Sequence, residues 1–314
     1  MTARARLATA LVLGWAACAA PERRPAEPVE PAACAPPTGA LAERIRTIVA
    51  APTVRARLRP AAGQDPRRLA GAVAARLAQA GGDVLESEVA SGELRMRLRL
   101  RESTPDAFRA LLAPGEFGIH PVDDAAVRAM AERIRTRLVL APELRLERWD
   151  DGPAEVVGED REALDRFIAD LPRPEGSRWV LMDTAALGGP STWRAMLVGP
   201  ARFSGEDLDR CAVGVESGPG TPPQLVLALG AQAAPGFTAW TGDRVGQRIA
   251  FVVDGAVIAA PQVQEAVPGR RLVFSGTAPG AVETVAVLLR GGPLDARPEL
   301  VDFLVDMTRA APTR

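Results

Sequence analysis

The 314-residue sequence has no lysine and no tyrosine, and its only histidine is His120. Aromatic residues make up only 4% of the chain, which argues against a platform on which bases or sugars stack. The formal net charge is -1, so the chain carries no electrostatic signature of nucleic-acid binding, and we expect no nucleic-acid partner. Its content of 47% hydrophobic and 25% charged residues is ordinary for a globular protein, and its length allows two domains of moderate size.

Groups that perform catalysis or bind metals are also scarce. No nucleophile or carboxylate stands at a telling distance from His120, so we interpret it as a structural histidine on a part-buried strand. One histidine and two unclustered thiols do not supply the ligands of a zinc site. Three acidic pairs fall at turns, where carboxylates usually cap helices or face solvent: Asp123-Asp124, Asp150-Asp151 and Glu206-Asp207. The sequence therefore predicts no catalytic residue, no metal site, no cofactor and no enzymatic activity.

The cysteine spacing does not indicate a disulfide framework. Nothing in the spacing pairs Cys34 with Cys211. We expect two free thiols, and a disulfide between them in an oxidising compartment is the alternative.

Only one apolar run stands out, at residues 7–17, and two arginines precede it. This arrangement is typical of an export signal, and the run is too short to span a membrane. It ends at Ala16-Ala17-Cys18, which resembles the bacterial lipobox and predicts lipidation of Cys18. A plain signal peptide cut after Ala17 or Ala20 is the alternative. The next residues are rich in Pro, Ala and Glu, which predicts an extended tether. No later run is long enough to cross a bilayer, so we expect a soluble chain on the periplasmic side of the cell envelope, lipid-anchored to a membrane.

Residues 41–124 predict a small α+β region. Helical spacing indicates helices at 41–50 and 66–80, and alternation indicates a hairpin around Ser91-Gly92. A further helix follows Thr104, and a short strand follows at 117–122. This order is half of a ferredoxin-like split βαβ arrangement. Alternate arginines in the hairpin indicate the solvated outer face of a sheet rather than a binding surface: Arg95, Arg97, Arg99 and Arg101.

Residues 230–294 predict a second compact α+β unit. Two short apolar runs flank Asp254-Gly255, a pair that favours a tight hairpin turn because both central positions need a positive φ. A third strand follows at 271–275. Apolar residues at helical spacing then predict a helix at 279–290, which Gly291-Gly292-Pro293 ends.

These residues resemble the head of the first periplasmic domain of SecD, an accessory subunit of the export translocase. The resemblance depends on residues at fixed places, namely Phe237, Thr238, Thr241, Gly246, Asp254-Gly255, Ala260-Pro261 and 273–276. An upstream block fits the same pattern, with Ser204 to Leu208, Ala212-Val213, Pro223 and 225–229. The order of elements in residues 41–124 is similar to the base of that domain, whereas residues 125–195 have no counterpart that we can place.

The resemblance implies an α+β fold, with a ferredoxin-like base region and a SecD-head-like domain built mainly from antiparallel sheets with helices on one face. Together with the N-terminal pattern, it divides the chain into a signal peptide (1–17), a tether (18–40), a base region (41–124), a middle elaboration (125–195), a head-like domain (196–296) and a C-terminal tail (297–314).

The same resemblance implies a non-enzymatic protein that binds exported polypeptide or components of the Sec translocase. A scaffold lipoprotein that reuses the fold to bind another envelope component is the alternative. For the polypeptide-binding surface we select Trp240 and a rim formed by Ala256, Ile258, Pro261 and Val263. We expect Phe237 to lie in the core instead.

Overall fold

The computed structural model describes residues 52–148, 154–187, 191–218, 221–274 and 279–306. They belong to one compact unit, Cys34–Arg314. The signal peptide, Cys18, the tether, the helix expected at 41–50 and Asp150-Asp151 lie outside the described residues.

The described residues form seven α-helices and fifteen strands. The helices are α1 (Pro66–Gln79), α2 (Pro105–Leu111), α3 (Asp124–Ala129), α4 (Ala131–Leu138), α5 (Arg161–Ala169), α6 (Ala233–Gly242) and α7 (Pro279–Gly291). The strands are β1 (Thr53–Arg59), β2 (Asp83–Ala90), β3 (Glu93–Arg99), β4 (Phe117–Pro121), β5 (Leu144–Arg148), β6 (Ala154–Gly158), β7 (Arg178–Asp183), β8 (Trp193–Val198), β9 (Phe203–Ser204), β10 (Gly214–Glu216), β11 (Gln224–Ala228), β12 (Ile249–Val253), β13 (Ala256–Ala259), β14 (Arg271–Phe274) and β15 (Glu299–Asp306). The predicted α+β class with mostly antiparallel sheets is confirmed.

The first sheet has four antiparallel strands in the order β15-β1-β3-β2. Alternate residues of β1 and β3 point to one face, where they pack against α1 and α2 around Leu69 and Phe108. Both helices begin with a side-chain cap followed by proline, at Asp65 and at Thr104, which are strong start signals. The local sequence therefore determines most of this layer.

The strand β15 that flanks β1 comes from the far end of the chain. The tail predicted at 297–314 therefore contains a strand that pairs with β1. The strand predicted at 117–122 with the base region corresponds to β4, which belongs to another sheet. A β-bulge explains the missed strand. Arg57 pairs with Asp302 and Leu58 pairs with Leu300, so the register skips one residue and alternation does not run through β15.

The outer face of this sheet carries the arginines that alternate along β1 and β3. Arg55, Arg95 and Arg97 are exposed. Several of these arginines pair with acidic residues on the flanking strands, with 3.0 Å between Arg97 and Glu86 and 2.6 Å between Arg55 and Asp306. This face has the character of a solvated surface with matched charges.

The second sheet has eight strands in the order β5-β6-β8-β7-β13-β12-β4-β9, antiparallel except where β13 meets β7. At the β12–β13 hairpin, Asp254 and Gly255 have φ values of 49° and 79°. Such a turn needs residues that tolerate the left-handed region, which Asp and Gly provide. One face of β4 and β12 packs against α6, α7 and a third sheet, β10-β11-β14, and this core contains Phe203, Phe237, Trp240, Phe251 and Phe274.

Helices α3, α4 and α5 cover the other end of the large sheet, where Ile134, Leu164 and Val156 form a separate core. A buried ion network also lies there. Arg248 contacts Asp124 at 2.5 Å and also contacts Glu155, which is only 3% exposed, and Arg194 lies 2.8 Å from Glu155. Burial acts to lower the pKa of Arg248, but hydrogen bonds and charges from Asp124 and Glu155 outweigh it, so this pKa is raised.

Arg76 joins the four-stranded sheet layer to the rest of the fold. Its side chain is fully buried on α1 and donates five hydrogen bonds to four backbone carbonyls: those of Leu111, Ala113, Pro114 and Gly292. The first three carbonyls lie at the end of α2 and just after it, where the chain leaves this layer, and the fourth follows α7, where it returns. Burial lowers the pKa of Arg76 to about 10, which still leaves the guanidinium charged at neutral pH.

Candidate functional site

Trp240 lies on α6 and is buried, with an exposed fraction of 7%. Its ring centroid lies 5.6 Å from that of Phe203 and 6.1 Å from that of Phe237, and the guanidinium of Arg244 stands over the ring at 4.6 Å. The expectation of an exposed apolar contact at Trp240 is therefore wrong. The reason is the helix itself, because Phe237 and Trp240 are three residues apart and share its inward face.

The rim at residues 256–263 is only partly accessible. Ala256 is exposed and both Ile258 and Pro261 are half-buried, whereas Val263 is 4% exposed. Val263 is fixed by backbone hydrogen bonds to Gly246 and Gln247, each of 2.8 Å. The rim therefore presents three of its four selected residues to solvent and excludes Val263 as a contact.

A cavity of about 340 Å³ lies where the edge of the large sheet meets the end of α7. Its walls come from β4 with the residues before it, the start of β7, β9 with the following turn, and residues Leu289 and Pro293. Four charged side chains line it: Glu116, Arg178, Glu206 and Arg210. Sequence reasoning did not find this set, because its members are scattered and match no spacing pattern.

His120 lies in the lining of this cavity. It is 4% exposed, and its Nδ1 lies 2.8 Å from the carbonyl oxygen of Gly199. With Nδ1–H as the donor, Nε2 accepts from Nη2 of Arg178 at 3.4 Å. Burial lowers the pKa of His120, and the nearby charge of Arg178 lowers it further, although the hydrogen bond to Gly199 acts in the opposite direction. This is the buried, hydrogen-bonded histidine that the sequence favours.

The acidic pairs within the described residues serve local structure. Asp123 caps α3 by accepting from the amide of Ala126 at 2.9 Å, and Asp124 belongs to the ion network with Arg248. Asp207 accepts from the amide of Ser204 at 2.7 Å in a capping box. These contacts give each of the three carboxylates a structural role.

Within the described ranges, no group of three His, Cys, Asp or Glu side chains is placed to hold a metal ion, and no helix combines the length and apolar character that a membrane span needs. Cys211 is disulfide-bonded, so the expectation of a free thiol there is wrong, and its partner lies outside the described residues.

Comparison with protein families assigns residues 184–296 to one model, described as the P1 head subdomain of SecDF. The chain therefore contains a SecD-like head subdomain. SecD of Acidaminococcus fermentans is 31% identical over 147 residues, which cover 45% of this chain and 33% of that protein. SecD of Aquifex aeolicus is 25% identical over 142 residues, which cover 44% of this chain and 25% of that protein.

The matched part thus spans a third or less of these SecD proteins. Among solved structures, SecDF in a super-membrane-facing form has a TM-score of 0.51 at 20% identity and covers 81% of this chain and 30% of its own. At that identity the likeness concerns the fold alone. The head subdomain contains the rim, Trp240 and part of the cavity, so the resemblance seen in the sequence is confirmed where these sites lie.

Proposed function

We propose that this chain acts in protein export as a non-enzymatic binding module, which contacts exported polypeptide or a component of the Sec translocase. The match of residues 184–296 to the SecDF P1 head subdomain carries the proposal. The similar proteins are named as protein translocase subunits. Because the shared part is a third or less of those proteins, the proposal covers binding only.

The contact surface that we propose consists of Ala256, Ile258 and Pro261. Their exposure supports this choice, since each has at least part of its side chain open to solvent. They follow a turn whose two central residues, Asp254 and Gly255, have fixed left-handed conformations. Apolar side chains on such a rigid support suit an extended polypeptide, because little conformational entropy is lost when contact is made.

We also propose a location on the periplasmic side of the cell envelope, with Cys18 as the lipid anchor. The apolar run at 7–17 and the small residues before Cys18 support it. Radioactive palmitate should label the chain and should not label a Cys18→Ala variant. A Cys34→Ala variant is the matched control and should keep the label; equal labelling of both variants would contradict the anchor.

Site-specific photo-cross-linking tests the binding function. A photoreactive amino acid is placed at Ala256 or at Pro261, and at exposed Arg68 on α1 as the control. A preprotein arrested during export should cross-link from the two rim positions and not from Arg68. The same two rim positions should cross-link to several different arrested preproteins, because extended polypeptide is recognised with little dependence on sequence.

The outcomes separate the two candidate functions. Cross-links from the rim to one folded envelope protein, with none to arrested preprotein, would favour a scaffold lipoprotein. Equal cross-linking from Arg68 and from the rim would overturn the assignment of this surface.

A further inference from the structure

The cavity beside β4 and β9 holds charges that the binding proposal does not use. Glu116, Arg178, Glu206 and Arg210 line it, and among the described residues none of these four side chains forms an ion pair. Charged side chains elsewhere do pair, as the buried network around Glu155 illustrates. Charged groups that share a cavity without pairing are available to a ligand.

The position of Arg178 is set by its neighbours. Nδ1 of His120 is occupied by the carbonyl of Gly199, so Nε2 is left as an acceptor for one N–H of Arg178. Gly118 makes room for this ring, because a Cβ there would lie 2.5 Å from Nε2. One N–H of the Arg178 guanidinium is therefore bound to His120, and its other N–H groups have no hydrogen-bond acceptor among the described residues.

Arg210 also lines the cavity. It begins the short 3-10 turn Arg210–Ala212. Its guanidinium lies against Gly292, where a Cβ would be 3.0 Å from Nη1. No side-chain hydrogen bond or ion pair of Arg210 is present in the part of the chain that the structure describes. Two guanidiniums from distant parts of the sequence thus line one space with donors unused.

We propose that this cavity binds a carboxylate group through the guanidiniums of Arg178 and Arg210. The planar donor fork of arginine matches the two oxygens of a carboxylate. A volume of about 340 Å³ suits a small ligand or a short piece of a larger one. The proposal stands on the cavity and is independent of polypeptide binding at the rim.

The other titratable groups of the cavity restrict the charge of the ligand. Glu116 and Glu206 contribute two negative charges against the two arginines, and His120 is neutral, so the formal charge of the lining is zero. A neutral lining has no excess positive charge to offset the larger desolvation cost of a doubly charged anion, whereas a singly charged carboxylate costs less to desolvate. The site therefore selects a monocarboxylate over phosphate.

Isothermal titration calorimetry of the full chain tests the proposal with four probes. The first is an acetylated, amidated peptide with one aspartate; the second is its asparagine counterpart with a free C-terminal carboxylate; the third is acetate and the fourth is inorganic phosphate. At least one of the three carboxylates should bind saturably and more tightly than phosphate. Which of the three binds best identifies the source of the carboxylate: an acidic side chain, a chain terminus or a free small acid.

Matched variants separate a specific site from general attraction. Arg178→Gln and Arg210→Gln should each weaken binding by at least about tenfold, the loss expected when one charged hydrogen-bonding partner is removed. Arg202→Gln should leave it unchanged, because Arg202 is exposed in the loop before β9 and does not line the cavity. Glu206→Gln should tighten binding. Circular dichroism melting curves check that each variant folds.

Absence of saturable binding to all three carboxylates would overturn the proposal. So would Arg178→Gln and Arg210→Gln variants that fold and bind as the unchanged chain does, or phosphate that binds as tightly as the best carboxylate. Binding of acetate alone would support the carboxylate site while leaving the cross-linking test at the rim to decide polypeptide binding.

Discussion

Replacing Arg76 by methionine should destabilise the fold strongly, although the change removes a charge from a buried place. Methionine keeps much of the apolar stem that packs on α1 and removes the cost of burying the guanidinium. It also removes all five hydrogen bonds to the carbonyls at and after the ends of α2 and α7. The net change in stability depends on how many of those carbonyls water can reach, because water can replace the lost donor.

The structure gives a magnitude for this loss. The carbonyls of Ala113 and Gly292 accept in buried surroundings, and those of Leu111 and Pro114 are only part-buried. A buried acceptor left without a donor costs about 1–3 kcal/mol, so the two buried carbonyls alone cost roughly 2–6 kcal/mol of stability. The two part-buried carbonyls add to this loss and the relief of guanidinium burial offsets part of it, so we expect Arg76→Met to lower the free energy of unfolding by about 2–6 kcal/mol. Arg76→Lys should cost less, about 1–3 kcal/mol, because lysine has three donors for four carbonyls.

Urea denaturation, followed by tryptophan fluorescence and by circular dichroism, measures the free energy of unfolding. Arg68→Met on the exposed side of the same helix is the control and should change it by less than about 0.5 kcal/mol. If Arg76→Met stayed within about 1 kcal/mol of the unchanged chain, the reasoning from unsatisfied carbonyls would be refuted.

Three further predictions concern pH, the ion network and the hairpin turn. His120 is the only histidine, and its pKa in the folded state lies below the ordinary value of 6.5. Its contribution to the stability of the fold is therefore complete above pH 6.5 and is lost as the pH falls below that value. His120→Asn should reduce the loss of stability between pH 7 and pH 5 in urea titrations, and an identical loss in both proteins would rule this out. Glu155→Gln removes the buried negative charge that Arg248 and Arg194 contact, and it should lower the free energy of unfolding by about 3–5 kcal/mol. The control Glu162→Gln, at an exposed position, should change it little. Equal effects of the two variants would contradict the role of the network. Gly255→Ala should destabilise the fold by about 1–2 kcal/mol, because φ is 79° there. Gly236→Ala, on the open side of α6, should stabilise the fold by about 0.5–1 kcal/mol. Melting temperatures that both rise or both fall would contradict this prediction.

Sequence reasoning succeeds in this protein where a local signal is sufficient. The hairpin at Asp254-Gly255 is found because its turn demands particular residue types. Helix α1 is found from its apolar periodicity, and α2 is found from its threonine cap and proline. It fails for α6, whose glycine, proline and threonine content conceals a helix that tertiary packing stabilises. The sequence pattern therefore does not show that Trp240 points into the core, because only a helix puts it on the same face as Phe237.

The charged cavity could not be predicted for a different reason. Arg178 and Arg210 are ordinary members of an arginine-rich sequence, and only the fold brings them into one space beside His120. The same holds for Arg76, whose partners are backbone carbonyls and therefore have no signature in residue identity. In both cases the contacts join residues that are far apart in the sequence, so a local pattern cannot predict them.

The pairing of β1 with β15 has a consequence for biosynthesis. Arg55 and its partner Asp306 are 251 positions apart, whereas β1 meets β3 after only a short stretch of chain. As a ribosome delivers the polypeptide from its N-terminus, β1 can gain its first neighbour early, but its other side waits until Glu299–Asp306 has emerged. A nascent chain that stalls before Glu299 would leave a seven-residue strand with a bare row of amides and carbonyls, so incomplete products should aggregate and need chaperones or proteolytic clearance.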